Sequence, residues 1–170
     1  MKFEYIPQLT SVGSYQVNVP LRYLKDSIKK YIDEYDLQLN PDFQRGYVWT
    51  VEQQIKYVNF LLRGGKSANV IYLNHPGWMG TFRGEFVCVD GLQRVTACLR
   101  FLNNEIRSFG FFYHEYVDKI PLEVELTVNV NNLKTKKEVL QWYLEMNSGG
   151  TMHTVEQLNM VRELLRYVEN

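Results

Sequence analysis

The chain moves between two hydrophobic periods, and the places where the period changes mark its elements. Leu21, Leu24, Ile28, Ile32 and Tyr35 recur at helical spacing with Lys and Asp between them, which predicts a helix over residues 21–35. Leu37 and Leu39 then flank Gln38 in a short extended piece leading to Asn40-Pro41. Thr50 with Gln53 three residues later has the spacing of a capping box, and the helix it opens runs to a Gly64-Gly65 stop. Asn69 to Leu73 reads as a strand, and His75 to Gly84, rich in Gly and Pro, as a loop. Phe86 to Val89 is a second β-rich run. It ends in Asp90-Gly91, where a long amphipathic helix begins at once with Leu92, Val95, Leu99 and Leu102 on one face.

The aromatic residues 106–113 read as a further strand, and 122–130 as a clearer one, with Leu122, Val124, Leu126, Val128 and Val130 alternating against polar partners. Thr135 and Glu138 form another capping box, opening a helix that ends near Ser148-Gly149-Gly150. A last helix is predicted over about 155–168, carrying Val155, Leu158, Val161, Leu165 and Val168. Helices and strands are interspersed without a strict βαβ rhythm, which favours a compact α+β domain over a doubly wound sheet. There is no repeat, low-complexity tract or linker, so residues 1–170 read as one domain.

Composition narrows the functional classes. Lys+Arg and Asp+Glu balance at 19 each, so no broad positive field exists to hold a nucleic-acid backbone non-specifically. No cleavable signal pattern opens the chain, and no apolar stretch approaches the ~20 residues of a membrane span, which points to a cytoplasmic protein with no membrane partner. Cys88 and Cys98, one in a predicted strand and one in the following helix, read as small buried hydrophobes.

Several candidates for chemistry fail on spacing. Gly64-Gly65-Lys66-Ser67 lacks the earlier glycine of a phosphate loop, since Phe60 stands there, and it closes a helix where that loop would open one. His75, His114 and His153 are far apart and share no metal-ligand spacing. Three clusters remain. The first, Asn40 to Trp49, packs Arg45, the amides of Asn40 and Gln44, and the rings of Phe43, Tyr47 and Trp49 into ten residues. Its arginine suits phosphate and its rings suit stacking, although Phe43 and Trp49 fit the core better. The second is the strand–turn–helix at Asp90-Gly91-Leu92-Gln93-Arg94. Here helix N–H groups, a glycine and an arginine meet, and a first-turn cation runs against the helix dipole. The plainer reading is that Asp90 caps the helix and Arg94 points to solvent. The third is Glu145 to Thr151, where consecutive glycines suit either an anion nest or a helix end and hinge.

In this order, Gln44-Arg45-Gly46-Tyr47-Val48-Trp49, Asp90-Gly91-Leu92-Gln93-Arg94 and Asn147-Ser148-Gly149-Gly150-Thr151 resemble the three signatures of the GmrSD-type N-terminal domain. The resemblance spans roughly residues 15 to 160. It implies a ParB/sulfiredoxin-like domain, a small mixed sheet packed by several helices, that binds and often hydrolyses nucleoside triphosphates in restriction and phage-defence systems. Carried over by position, Asp90, Gln93 and Arg94 would be catalytic, with Gly91 and Arg94 at the phosphates. Gln44, Arg45 and Tyr47 would face them, and Asn147, Gly149 and Gly150 would close the pocket. Asp90 would cap the helix or hold the water of a Mg2+ arriving with the nucleotide, and Gln93 would position the attacking water. Leu92 departs from the family motif, replacing its first glutamine and losing an amide that could orient water or phosphate. The histidine-dependent HNH-like nuclease module of full-length relatives is not expected here, nor is DNA cleavage by this polypeptide alone. Two other readings stay open: a non-catalytic interaction module binding a protein or DNA partner, such as a separate nuclease subunit, and a nuclease of the same superfold.

Overall fold

A computed structural model of the chain describes residues 2–6, 15–44, 46–148 and 155–168. Four strands form one sheet in the order β1-β4-β2-β3, namely β1 (Tyr15–Pro20), β2 (Val70–Asn74), β3 (Val87–Asp90) and β4 (Glu125–Asn131). β4 runs antiparallel to β1 and parallel to β2, and β2 runs antiparallel to β3, so the sheet is mixed. Gln38 extends it past β3, exchanging backbone bonds with Phe86 and Cys88 at 2.8 and 2.9 Å. This is the short extended piece expected around Leu37 and Leu39.

Two helical layers cover unequal parts of this sheet. α1 (Leu24–Tyr35), α2 (Val51–Leu62) and α3 (Leu92–Leu102) pack on one face against Ile71, Leu73, Cys88, Leu126, Val128 and Val130. α4 (Lys136–Ser148) and α5 (Val155–Val168) cover Val87, Val89 and Tyr72 on the other. β3 is therefore buried on both sides, which explains its unbroken apolar run. β4 keeps polar residues on its open face and alternates. The helices start where their caps predict. Thr50 and Gln53 make the reciprocal bonds of a capping box, and the Glu138 carboxylate takes the Thr135 N–H while Thr135 Oγ1 takes that of Glu138.

Two expectations are corrected. Residues 106–113 form no strand: Ser108 and Phe111 exchange bonds of 2.8 and 3.0 Å around a two-residue turn, with Phe109 and Gly110 at φ of +48° and +87°. Those positive angles give the geometry of a tight hairpin turn, which bends the chain back before a ladder can form. β4 begins at Glu125 and not at 122, because Pro121–Val124 is a turn and the pairing with β1 starts opposite Pro20.

One buried amide ties the sheet to the α4 layer. Asn74, at the end of β2, donates to the Leu133 carbonyl at 3.1 Å and accepts the Leu133 N–H at 2.9 Å. Asn74→Ala leaves both backbone groups unpaired in the interior and should cost about 2–4 kcal/mol. A urea midpoint will show this, and a loss below ~1 kcal/mol would mean that the α4 layer is held by packing alone.

Candidate functional site

Two constraints meet on one glycine where β3 enters α3. Gly91 has φ of +116°, and a Cβ there would lie 2.6 Å from Ile71 Cδ1 and 2.9 Å from its Cγ2 on β2. Glycine alone makes this turn and lets β2 pass so close. Gly91 is itself the N-cap of α3, and no side chain caps the helix. Asp90 is thus not the cap that its position suggested. Its carboxylate pairs with the Arg94 guanidinium one turn on, and Arg94 is only 18% exposed, so it does not point into solvent.

Gln93, on the same turn, clamps the loop that precedes α2. Its Oε1 accepts the N–H groups of Val48 and Trp49, each at 3.1 Å, and its Nε2 donates to the Gly46 carbonyl at 2.6 Å. A second buried amide, Gln54 of α2, donates to the Trp49 carbonyl at 2.9 Å and accepts from Arg100 at 2.7 Å. Gln44 donates to the Cys88 carbonyl at 2.6 Å, joining the Pro41–Gln44 turn to β3.

These contacts enclose a cavity of about 220 Å³. Gln44 and Trp49 line one wall, and Asp90 to Arg94 line the next. Tyr143 and Asn147, one turn apart on α4, line the third, and Asn147 donates to the Tyr143 carbonyl at 2.7 Å. Parts of all three sequence clusters are therefore brought together. Tyr47 sits on the clamped loop but is 63% exposed and does not line the cavity. Arg45, Gly149 and Gly150 lie outside the described residues.

Phe43 is buried as the plainer reading had it, whereas Trp49 both packs on Tyr57, with ring centroids 5.4 Å apart, and lines the cavity. Sequence reasoning missed Tyr143 and the Gln54–Arg100 pair. The available signal for Tyr143 was its place one helical turn before Asn147, on the same face.

The remaining candidates resolve as structural. Gly64, at φ of +83°, ends α2 in a turn. His75 is buried, its Nδ1 accepts the Gly77 N–H at 3.0 Å, and burial lowers its pKa, so it stays neutral. Among the described residues no group of three or more His, Cys, Asp and Glu is placed to hold a metal, and no helix is long and apolar enough to cross a membrane.

Burial pushes both thiols up to about 12, with the Asp90 charge adding to the effect at Cys88. Both are therefore protonated at neutral pH and are not nucleophiles. The native protein should leave both unreactive toward a thiol reagent at pH 8 and expose two in denaturant. Fast labelling of either in the native state would contradict their burial. Since the folded thiols titrate above the unfolded ones, stability should fall as pH rises from about 9 towards 12.

Gln93→Ala removes three bonds to the loop and should speed hydrogen exchange at the Val48 and Trp49 amides by tenfold or more, an opening easier by about 1.4 kcal/mol or more. Unchanged exchange would show that Gln54 holds the loop without it.

A family model described as GmrSD restriction endonuclease, N-terminal domain, matches residues 24–147. No curated protein and no solved structure matches the chain. The matched stretch runs from the start of α1 to Asn147 and takes in every residue lining the cavity. The chain therefore belongs to the GmrSD restriction endonuclease N-terminal domain family, which links it to restriction and phage-defence systems.

Proposed function

We propose that the cavity at the β3–α3 junction binds the phosphates of a nucleoside triphosphate. The observation that carries this reading is the convergence of Gln44, Asp90 to Arg94 and Asn147 on one cavity, at the N-terminus of an 11-residue helix. A helix start offers backbone N–H groups and a positive dipole end to an anion. Arg94 adds a planar guanidinium suited to two parallel phosphate bonds. The cavity is smaller than the roughly 300–1,000 Å³ of typical ligand pockets, a size that suits the phosphate end of a nucleotide and not the whole.

Asp90 governs how that anion is received. It neutralises Arg94 through their ion pair, so a phosphate must compete with a carboxylate for the guanidinium. Magnesium is bound by one or two carboxylates together with substrate phosphates more readily than by an all-protein cage. Among the described residues Asp90 is the one acidic residue lining the cavity, which fits a magnesium carried in on the triphosphate. When bound, the ion would offset phosphate charge and draw on Asp90, leaving Arg94 for the phosphate. Gln93 would act as a positioning residue that keeps the Gly46–Trp49 loop against the site.

A second reading is favoured by Leu92. Its side chain is 2% exposed and packs into the core of the α1–α3 layer, so the place of the family's first glutamine carries no amide for water. Gln93 Oε1 already accepts two backbone donors. Both features favour a domain that binds nucleotide with little turnover, acting as a regulatory or interaction module.

Thermal melting with ATP, GTP, CTP and UTP plus magnesium tests the site. A ligand at 100 times its Kd adds about 2.7 kcal/mol, or roughly 5–10 °C for a chain of this size. Arg94→Ala should abolish the shift and keep the helical circular-dichroism signal, and an unchanged shift would remove Arg94 from the site. Asp90→Asn should strengthen magnesium-free triphosphate binding several-fold and lose the gain from magnesium. Phosphate release by the wild type separates the two readings.

A further inference from the structure

We propose that the surface around the Ser108–Phe111 turn is a self-association face, on which a second copy of this chain docks about a twofold axis. It lies away from the phosphate cavity. α3 starts at that cavity and reaches this face with Phe101, roughly 10 Å of helix beyond Arg94.

The face is built around a cavity of about 260 Å³ whose walls include Phe101, Tyr113, Tyr116 and Ile120. Phe109 also lines it, half exposed and at φ of +48°, a backbone conformation that costs an aromatic residue stability. Asn59 of α2 holds it there, since its Oδ1 accepts the Ser108 hydroxyl at 2.6 Å and the Phe109 N–H at 3.2 Å. The Tyr116 hydroxyl donates to the Ser108 carbonyl at 2.6 Å, and its ring packs on Phe111 with centroids 6.0 Å apart. The turn and the segment that follows it are thus one preformed unit, and association has little chain to order. Phe111 and Leu122 add half-exposed apolar surface, and Val117 is fully exposed in the bend after Tyr116. Clustered exposed apolar groups of this kind mark a surface that another molecule covers.

A second copy fits because the face holds both halves of each contact. Val117 is a knob, and the cavity is a hole whose wall includes the neighbouring Tyr116. Asp118 and Lys119 line the same cavity with opposite charges, both exposed and with no hydrogen-bond or ion-pair partner among the described residues. A twofold axis brings position i of one copy to position j of the other, and j to i. A patch that carries knob and hole, anion and cation side by side is therefore complementary to itself. Its two charges also cancel, so it steers neither an acidic nor a basic partner towards it. Docking places Val117 in the cavity of the other copy and Asp118 against the partner's Lys119.

Sedimentation equilibrium of the full chain over about 1–200 μM tests this. The wild type should pass from monomer to dimer across that range. Val117→Asp puts a charge into the other copy's cavity and should weaken the dimer at least about tenfold. The melting temperature of the dilute monomer should not change, because that side chain lies wholly in solvent. Asp118→Lys and Lys119→Asp each set like charges across the axis and should each weaken the dimer about tenfold. The double reversal, Asp118→Lys with Lys119→Asp, restores opposite charges and should return it to within about threefold of wild type. A wild type that stays monomeric throughout would overturn the inference and leave the face to a different partner. A dimer that none of these variants weakens would lie elsewhere and overturn it, as would a double reversal no tighter than the single ones. None of the variants alters a residue of the phosphate cavity, so triphosphate binding is read separately and its failure does not bear on this face.

Discussion

At Gly91 the backbone of β3 turns into α3 within contact distance of Ile71 on β2, and the placement of the cavity walls follows from that close passage. The turn sets the first residues of α3 against the end of the sheet. It puts Gln93 opposite the loop before α2 and Arg94 back over Asp90. A side chain at position 91 would push α3 away from β2, and the clamp and the ion pair would lose their geometry together. The glycine is thus required by packing as much as by its dihedral angle.

The second constraint is the double burial of β3. With α1–α3 on one face and α4–α5 on the other, this edge strand has no open side except the one that Gln38 covers. Helices on both faces bring α4 over the strand end, which is why Tyr143 and Asn147 line the same cavity as Asp90. The amides around it are mostly engaged with backbone. Gln93, Gln54, Gln44 and Asn147 each bond to a main-chain group, so they fix the shape of the cavity more than they present free groups to a ligand. The proposed ligand contacts therefore fall to Arg94, Asp90 and the α3 N-terminus, groups that act through position and charge.

Local rules made the fold largely legible. Periodicity and caps located the five α-helices of the described residues, because Thr50–Gln53 and Thr135–Glu138 are bonds between near neighbours that sequence spacing displays directly. The aromatic run at 106–113 misled because strand propensity says nothing of Phe109 at positive φ, a conformation that aromatic side chains rarely adopt. At the site, Asp90 could be read as a cap or as a partner for Arg94. Only the glycine N-cap geometry decides between them. Trp49 and Tyr143 share another difficulty. Each is a ring with one side in a core and the other on a cavity, and sequence patterns separate buried from exposed but not one buried surface from another.

Amide chemical shifts of the labelled protein, followed while magnesium and a non-hydrolysable triphosphate are added, test the central claim most directly. The account predicts that the largest changes fall on Gly91, Gln93 and Arg94, with Val48, Trp49 and Asn147 following through the clamp and the α4 wall. A protein whose amides stay still, or whose changes gather on α1 or the Ser108–Phe111 turn, would contradict it.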